Sequence, residues 1–171
     1  MHAGRNKKTI VSFAETYQYI QKIYLFKKDY LIQPKLLLAT INNCPMDVRI
    51  LMQKRRKLWM ITGEIVKVAA NDFIITNAAQ KLLSIMNALQ ASNIAHLNKK
   101  MLKAKIESIC LTAAKVLENT KQGITIIGFD VGITLNGEIW IIEGNYQPDL
   151  SMFFRANDKT IYMNLSKESK S

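Results

Sequence analysis

GFDVGITLNGEIWIIEGN, residues 128–145, is nearly all strand-forming, yet it carries Asp130, Glu143 and Asn145. Asn-Gly between alternating apolar residues is the strongest short-range hairpin signal, because a two-residue type I′ turn needs positive φ at both positions. With Asn136-Gly137 as that loop, Leu135 faces Glu138, and counting back sets Asp130 directly opposite Glu143. Side chains alternate between faces. Asp130, Gly132 and Thr134 then share a face with Ile139, Ile141, Glu143 and Asn145, while Val131, Ile133, Leu135, Trp140 and Ile142 turn to the core.

Like charges directly opposite each other destabilise a ladder, and a divalent cation reverses that sign. Mg²⁺ takes oxygen ligands, keeps several waters, and is commonly held by one or two carboxylates together with substrate phosphates. Asn145 adds a neutral oxygen on the same face, and Gly132 leaves room beside it. The competing reading is an exposed hairpin whose acids sit in water.

Bulk properties bound the rest. A chain of 171 residues, 49% hydrophobic, suits one domain or part of a larger one and can bury a real core. No apolar run approaches the roughly 20 residues that span a membrane, and Glu15 interrupts the basic start before a signal-peptide core develops. Cys44 and Cys110 have no metal-type spacing, and a reduced, cytoplasmic setting is the simplest reading. The net charge of +11 favours anionic partners such as nucleotides, nucleic acid or acidic polymers. It is scattered over separate elements, and Lys54-Arg55-Arg56-Lys57 reads as a solvated hairpin loop rather than a nucleic-acid patch.

Ser12-Phe13-Ala14-Glu15 fits a capping box, and Phe13, Tyr17, Ile20 and Tyr24 follow at helical spacing, which predicts a helix over 13–26. Tyr30 to Gln33 reads as a short strand stopped by Pro34. Asp47–Gln53 and Leu58–Ala70 make a second hairpin, and 78–90 and 99–118 are helical in pattern before the strand that follows Gly123. The order predicts an α+β fold with a mostly antiparallel sheet backed by helices. His96 stands alone and is assigned no role.

Two blocks then carry a resemblance: YLIQPKLLLATINNCPMDVRILMQ at 30–53 and GFDVGITLNGEIWIIEGNYQPDLSMF at 128–153, with TGEIVKVAANDFIITN at 62–77 between them. An Asp-x-Arg strand followed much later by Asp and then Glu-x-Asn resembles the ATP-grasp family, nearest its spore-coat-associated YheC/YheD-type members. The resemblance runs over residues 12–163, after a basic segment 1–11 and before a polar tail 164–171.

This resemblance implies an ATP-grasp-like fold that holds ATP and Mg²⁺ and joins a carboxylate to an amine through an acyl phosphate. Asp130, Glu143 and Asn145 match the family's metal-binding residues. Arg49 matches a basic residue near the phosphate or acyl-phosphate site and is the expected catalytic residue. Gln33, Asp47, Lys67 and Asn77 fall at cofactor-binding positions. The implied partners are nucleotide and unknown carboxylate and amine substrates, with an association with the spore coat and neither a specific nucleic acid nor a membrane. The sequence departs from the family in running NAAQKLL straight into a helical pattern where relatives carry a glycine-rich stretch, and Asp149 follows Pro148 where relatives have Gly. The family's preceding domain and its nucleotide-binding Lys strand have no counterpart before Ser12, so the expectation is the C-terminal part of an ATP-grasp fold, truncated at the N-terminus. The alternatives are a degenerate, non-catalytic coat or assembly component and a metal-dependent nuclease. Asn145 stands where such a nuclease places a lysine.

Overall fold

In the computed structural model, which describes residues 2–3, 6–7, 9–25, 33–73, 76 and 79–156, the chain divides into two units, Met1–Leu36 and Leu37–Ser171. In the first, β1 (His2–Ala3) pairs antiparallel with β2 (Asn6–Lys7). Helix α1 (Phe13–Ile20) follows and closes in a wider π-type turn, Gln21–Leu25. Ser12 caps the helix as the sequence predicts, its Oγ accepting from the Glu15 N–H at 3.1 Å, but the return bond from the Glu15 side chain that would complete a capping box is not made among the described residues. The apolar spacing made the helix recognisable, yet no residue of α1 is buried. Of the expected strand Tyr30–Gln33, residues 30–32 lie outside the described residues. Gln33 is exposed and irregular.

The second unit is built on two long strands. After the short β3 (Thr40–Ile41), β4 (Cys44–Arg55) and β5 (Leu58–Ala69) pair antiparallel, as their large apolar and β-branched residues predict. They are joined by Arg56-Lys57, both at positive φ (47° and 68°), so this basic run is a two-residue hairpin turn. Then come β6 (Ala79–Leu83), α2 (Ile85–Ala91), α3 (Lys99–Thr120), β7 (Ile126–Ile133), β8 (Ile139–Asn145) and α4 (Ser151–Arg155). The sheet order is β6-β5-β4-β7-β8, antiparallel throughout, with β3 paired to β4 off this path. This is the expected α+β arrangement.

One element differs. The helical pattern at 78–90 is split, because Ala79–Leu83 adds to the β5 edge as a strand. Helix α2 starts only after Ser84, whose Oγ accepts from the Asn87 N–H at 3.4 Å. The N-cap residue, not the periodicity, marks the boundary.

The β7–β8 hairpin reaches the expected Asp130–Glu143 pairing by another route. Its loop has three residues, not two: the Thr134 N–H donates to Glu138 O at 2.9 Å, and Gly137 (φ 76°) is the loop's residue at positive φ. A second irregularity, between Asp130 and Val131, leaves Ile142 as an extra residue in β8. The two one-residue offsets cancel at Asp130. Between them the β8 side chains change face. Ile139 and Ile141, expected beside Asp130, pack on the helix-side core, while Trp140 and Leu135, expected in the core, are half exposed. Val131 and Ile133 are core residues as anticipated.

That core lies between the sheet and α2–α3. Met46, Val48, Ile50 and Met52 of β4 and Ile127, Phe129 and Val131 of β7 meet Leu89 of α2 and Ile106, Cys110 and Ala114 of α3. Burial this complete contributes about 1.5–3 kcal/mol for each large aliphatic side chain. On the opposite face a smaller cluster joins Leu51 and Ile65 to Met152 and Phe153 of α4.

The loop type is testable. Gly137→Ala forces a side chain into positive φ and sets its Cβ 2.9 Å from Leu97 Cδ1, so it should lower unfolding free energy by about 1 kcal/mol or more. Asn136→Ala should stay within about 0.5 kcal/mol in the same urea titration, whereas a two-residue turn would make both substitutions costly.

Candidate functional site

The face away from α2 and α3 carries the charge. Alternation along β4 sends Met46, Val48 and Ile50 to the core and Asp47, Arg49 and Leu51 to the other side. Register then does the assembly: Asp47 lies opposite Lys67 of β5 and Gly132 of β7, and Arg49 opposite Ile65 and Asp130. Four ionisable side chains from three strands thereby meet at adjoining positions.

They form one network. The Arg49 Nε and Nη2 donate to Asp130 Oδ1 and Oδ2 at 2.7 and 2.9 Å, a bidentate pair. The Lys67 ammonium donates to Asp130 Oδ1 at 3.0 Å and lies 3.2 Å from Asp47 Oδ1. That second contact is an ion pair without hydrogen-bond alignment, for Asp47 Oδ1 is buried with no hydrogen-bond partner. The other Asp47 oxygen accepts from the Thr76 hydroxyl. Asp47, Lys67, Asp130 and Arg49 are 3, 4, 4 and 7% exposed. Taking such charges out of water costs several kcal/mol each, and only mutual pairing offsets it. Two acids against two bases leave the cluster neutral.

Asp47 shows the strain. Burial pushes its carboxyl from 3.8 up to about 6, and the nearby Asp130 charge pushes the same way, against the pull of Lys67 and Thr76. At the other end of the network Gly128 supplies room. A Cβ there would lie 2.6 Å from Pro148 Cβ and 3.0 Å from Arg49 Nη1, so its missing side chain is the space that the guanidinium and the following loop occupy. Asp149 in that loop accepts from the Ser151 N–H and hydroxyl at 2.8 and 2.9 Å. Those bonds, then Arg155 and Arg49, hold its carboxyl below the usual range.

Each sequence-derived residue can now be located. Glu143 pairs with Asp130 and Asn145 with Gly128, on the face of the charged network. Glu143 is exposed and has no hydrogen bond or ion pair among the described residues. Arg49, Asp47 and Lys67 are in the network itself. Gln33 lies in the other unit, and Asn77 lies outside the described residues. The unshielded Asp130–Glu143 repulsion read from the hairpin alone is absent: Asp130 already has two cations on it, supplied by strands that a local reading cannot register. Thr76, Gly128 and Pro148 were missed. Of these only Thr76 had a signal, as the neighbour of Asn77.

Among the described residues no group of three or more His, Cys, Asp or Glu is arranged to hold a metal ion alone. The donor set does suit an ion that draws its remaining ligands from phosphates and water. Glu143 is uncommitted, Asn145 offers an amide oxygen, and Asp130 Oδ2 accepts a single hydrogen bond, which leaves it a lone pair. A cavity of about 590 Å³ lies between α3 and β8, lined by Phe129, by α3 residues such as Ala113 and Leu117, and at the β8 edge by Ile141 and Glu143.

A family model described as YheC/D-like ATP-grasp matches residues 1–169. The chain belongs to that family. It is 32% identical over 135 residues to the endospore coat-associated protein YheD of Bacillus subtilis (strain 168), an alignment covering 75% of this chain. The chain spans only 28% of that relative's length. No solved structure matches it. The mostly antiparallel sheet backed by helices is consistent with an α+β ATP-grasp fold, and the blocks that suggested the family at 30–53 and 128–153 supply β4, β7 and β8.

Two predictions follow from the burial of the network. Asp130→Asn strips Arg49 of its counter-ion and Lys67 of one of its two and should cost about 3–5 kcal/mol of unfolding free energy, whereas Glu143→Gln, at an exposed position, should stay within about 0.5 kcal/mol. The second concerns pH. The folded pKa of Asp47, about 6, exceeds its unfolded value of 3.8, so the folded state binds this proton more tightly. Its contribution is fully present below the unfolded value and is lost as pH rises through about 6. Wild type should therefore lose up to about 3 kcal/mol relative to Asp47→Asn between about pH 4 and about pH 7, by chemical denaturation. A difference that is flat with pH would refute this assignment.

Proposed function

We propose that this chain carries the Mg²⁺- and phosphate-binding part of a nucleotide site, of the ATP-grasp type that joins a carboxylate to an amine through an acyl phosphate. The observation that carries this reading is the single sheet face on which Arg49, Lys67 and Asp130 adjoin Glu143 and Asn145. Asp130, Glu143 and Asn145 would hold the ion. When bound, Mg²⁺ supplies charge neutralisation for a transferring phosphoryl group.

The remaining chemistry belongs to the protein's own cations. Arg49 spends Nε and Nη2 on Asp130, and Nη1 has no hydrogen bond among the described residues. Its two N–H groups point the role of Arg49 toward an anionic oxygen of a phosphate or acyl phosphate. Asp130 holds the guanidinium plane in place meanwhile, so little orientation entropy is left to lose on binding. Lys67 has three donors, of which one is spent on Asp130 in a hydrogen bond. Gln33, Asp47 and Asn77 are retained as cofactor-side residues on the family resemblance. An association with the spore coat, as the name of the Bacillus relative suggests for that protein, belongs to the same proposal.

A second reading has its own observation. Protein cations already meet both oxygens of Asp130, as expected of a domain that keeps the sheet but has no catalysis. One experiment separates the two. Melting of the folded protein with on the order of millimolar Mg-ATP should raise Tm through binding to the native state alone. Glu143→Gln should abolish the Mg-dependent part of that rise while leaving the unliganded Tm unchanged. No rise in wild type would favour the non-catalytic reading.

A further inference from the structure

Lys67 stands between two carboxylates and bonds well to one of them. Its ammonium donates to Asp130 Oδ1 at 3.0 Å, yet Asp47 Oδ1, 3.2 Å away, is buried and accepts no hydrogen bond. The Thr76 hydroxyl fixes the second Asp47 oxygen, so Asp47 cannot turn away to find another partner. Its backbone is the cross-strand neighbour of Lys67, which keeps the pair in reach whatever happens at β7. The structure thus contains a second carboxylate oxygen 3.2 Å from the Lys67 ammonium, paired with it by charge but without an aligned hydrogen bond.

We propose that Asp47 is a positioning residue, a second anchor that takes the Lys67 ammonium over when Asp130 gives its carboxylate to a divalent cation. The hand-over step rests on the nucleotide reading above; the shared anchorage does not. A cation on Asp130 cancels the charge that holds Lys67, and a buried ammonium without a counter-ion is strongly unfavourable. With Asp47 beside it, Lys67 needs only a small reorientation to satisfy the orphaned oxygen. Asp130 is released without stranding a charge, and Lys67 stays on the same face with donors to spare.

Shared anchorage has a signature in the unliganded protein. If Lys67 can lean on either acid, Asp47→Asn and Asp130→Asn should together lower Tm by clearly more than the sum of the two single losses, because only the double variant leaves Lys67 with no carboxylate. Adding Lys67→Met should remove that excess and raise the Tm of the double variant. Additive losses would overturn the proposal and leave Asp47 a structural partner of Thr76. Should the double variant not fold, the same cycle in the Lys67→Met background must fold and be additive, and a failure there also overturns it. The hand-over is then read with ATP as the probe. Asp47→Asn should weaken Mg-dependent ATP binding roughly tenfold, a typical coupling between sites, and leave Mg-free ATP binding unchanged. Equal weakening of both, or of neither, rejects the hand-over. A non-additive cycle in a protein whose wild type gains nothing from Mg-ATP keeps the shared anchorage and rejects the nucleotide reading instead.

Discussion

Asp130 is held by Arg49 through two parallel hydrogen bonds and by Lys67 through a third, and the polar face of the sheet is organised around that carboxylate. Arg49 and Asp130 are separated by 81 residues in the chain, yet they sit on neighbouring strands because β4 pairs with β7 in the sheet interior. Burial makes the arrangement mandatory. Unpaired, any one of these charges would cost several kcal/mol in a medium of low polarity, so the strands, the Gly128 notch and the Thr76 contact must all deliver their groups together.

Neutrality has a functional side. A cluster of two acids and two bases attracts neither anion nor cation strongly as a whole, but each member keeps some unused capacity. Arg49 has Nη1, Asp130 has a lone pair on Oδ2, and Asp47 has an oxygen that Lys67 meets by charge without an aligned hydrogen bond. Exposed Glu143 and half-buried Asn145 border the same face. A charged ligand arriving there would exchange partners within an existing network rather than bring bare charges into contact. On the reading proposed above, a protein of +11 would in this way offer carboxylates to a cation without losing the native sheet.

The two faces divide the labour. The helix-side face is apolar almost without exception, from Met46 to Met52 on β4 and Ile127 to Ile133 on β7, and supplies cohesion. The other face has only the small cluster of Leu51, Ile65, Met152 and Phe153. Polar residues can therefore be buried there, because the main core on the far side provides the stability that holds them.

Much of this was legible in the residues themselves. The alternating, β-branched runs identified β4, β5, β7 and β8, and the Ser12 cap placed α1, because these signals are local and depend on side-chain period and backbone turn chemistry. The pairing of Asp130 with Glu143 was also read correctly, though through a two-residue turn where the chain makes a three-residue loop and a bulge. Local rules could not see that compensation, since the bulge turns Ile141 onto the helix-side core, whose other residues lie elsewhere in the sequence. For the same reason the helix pattern ran past Ser84 into what is a sheet edge. Residue types and spacing determined the strands and the acids they carry, and the quoted blocks carried the resemblance to the family. Only the tertiary structure decided that Arg49 and Lys67 neutralise Asp130 and that Asp47 keeps an unbonded oxygen, because cross-strand register and burial arise from contacts that no stretch of chain contains by itself.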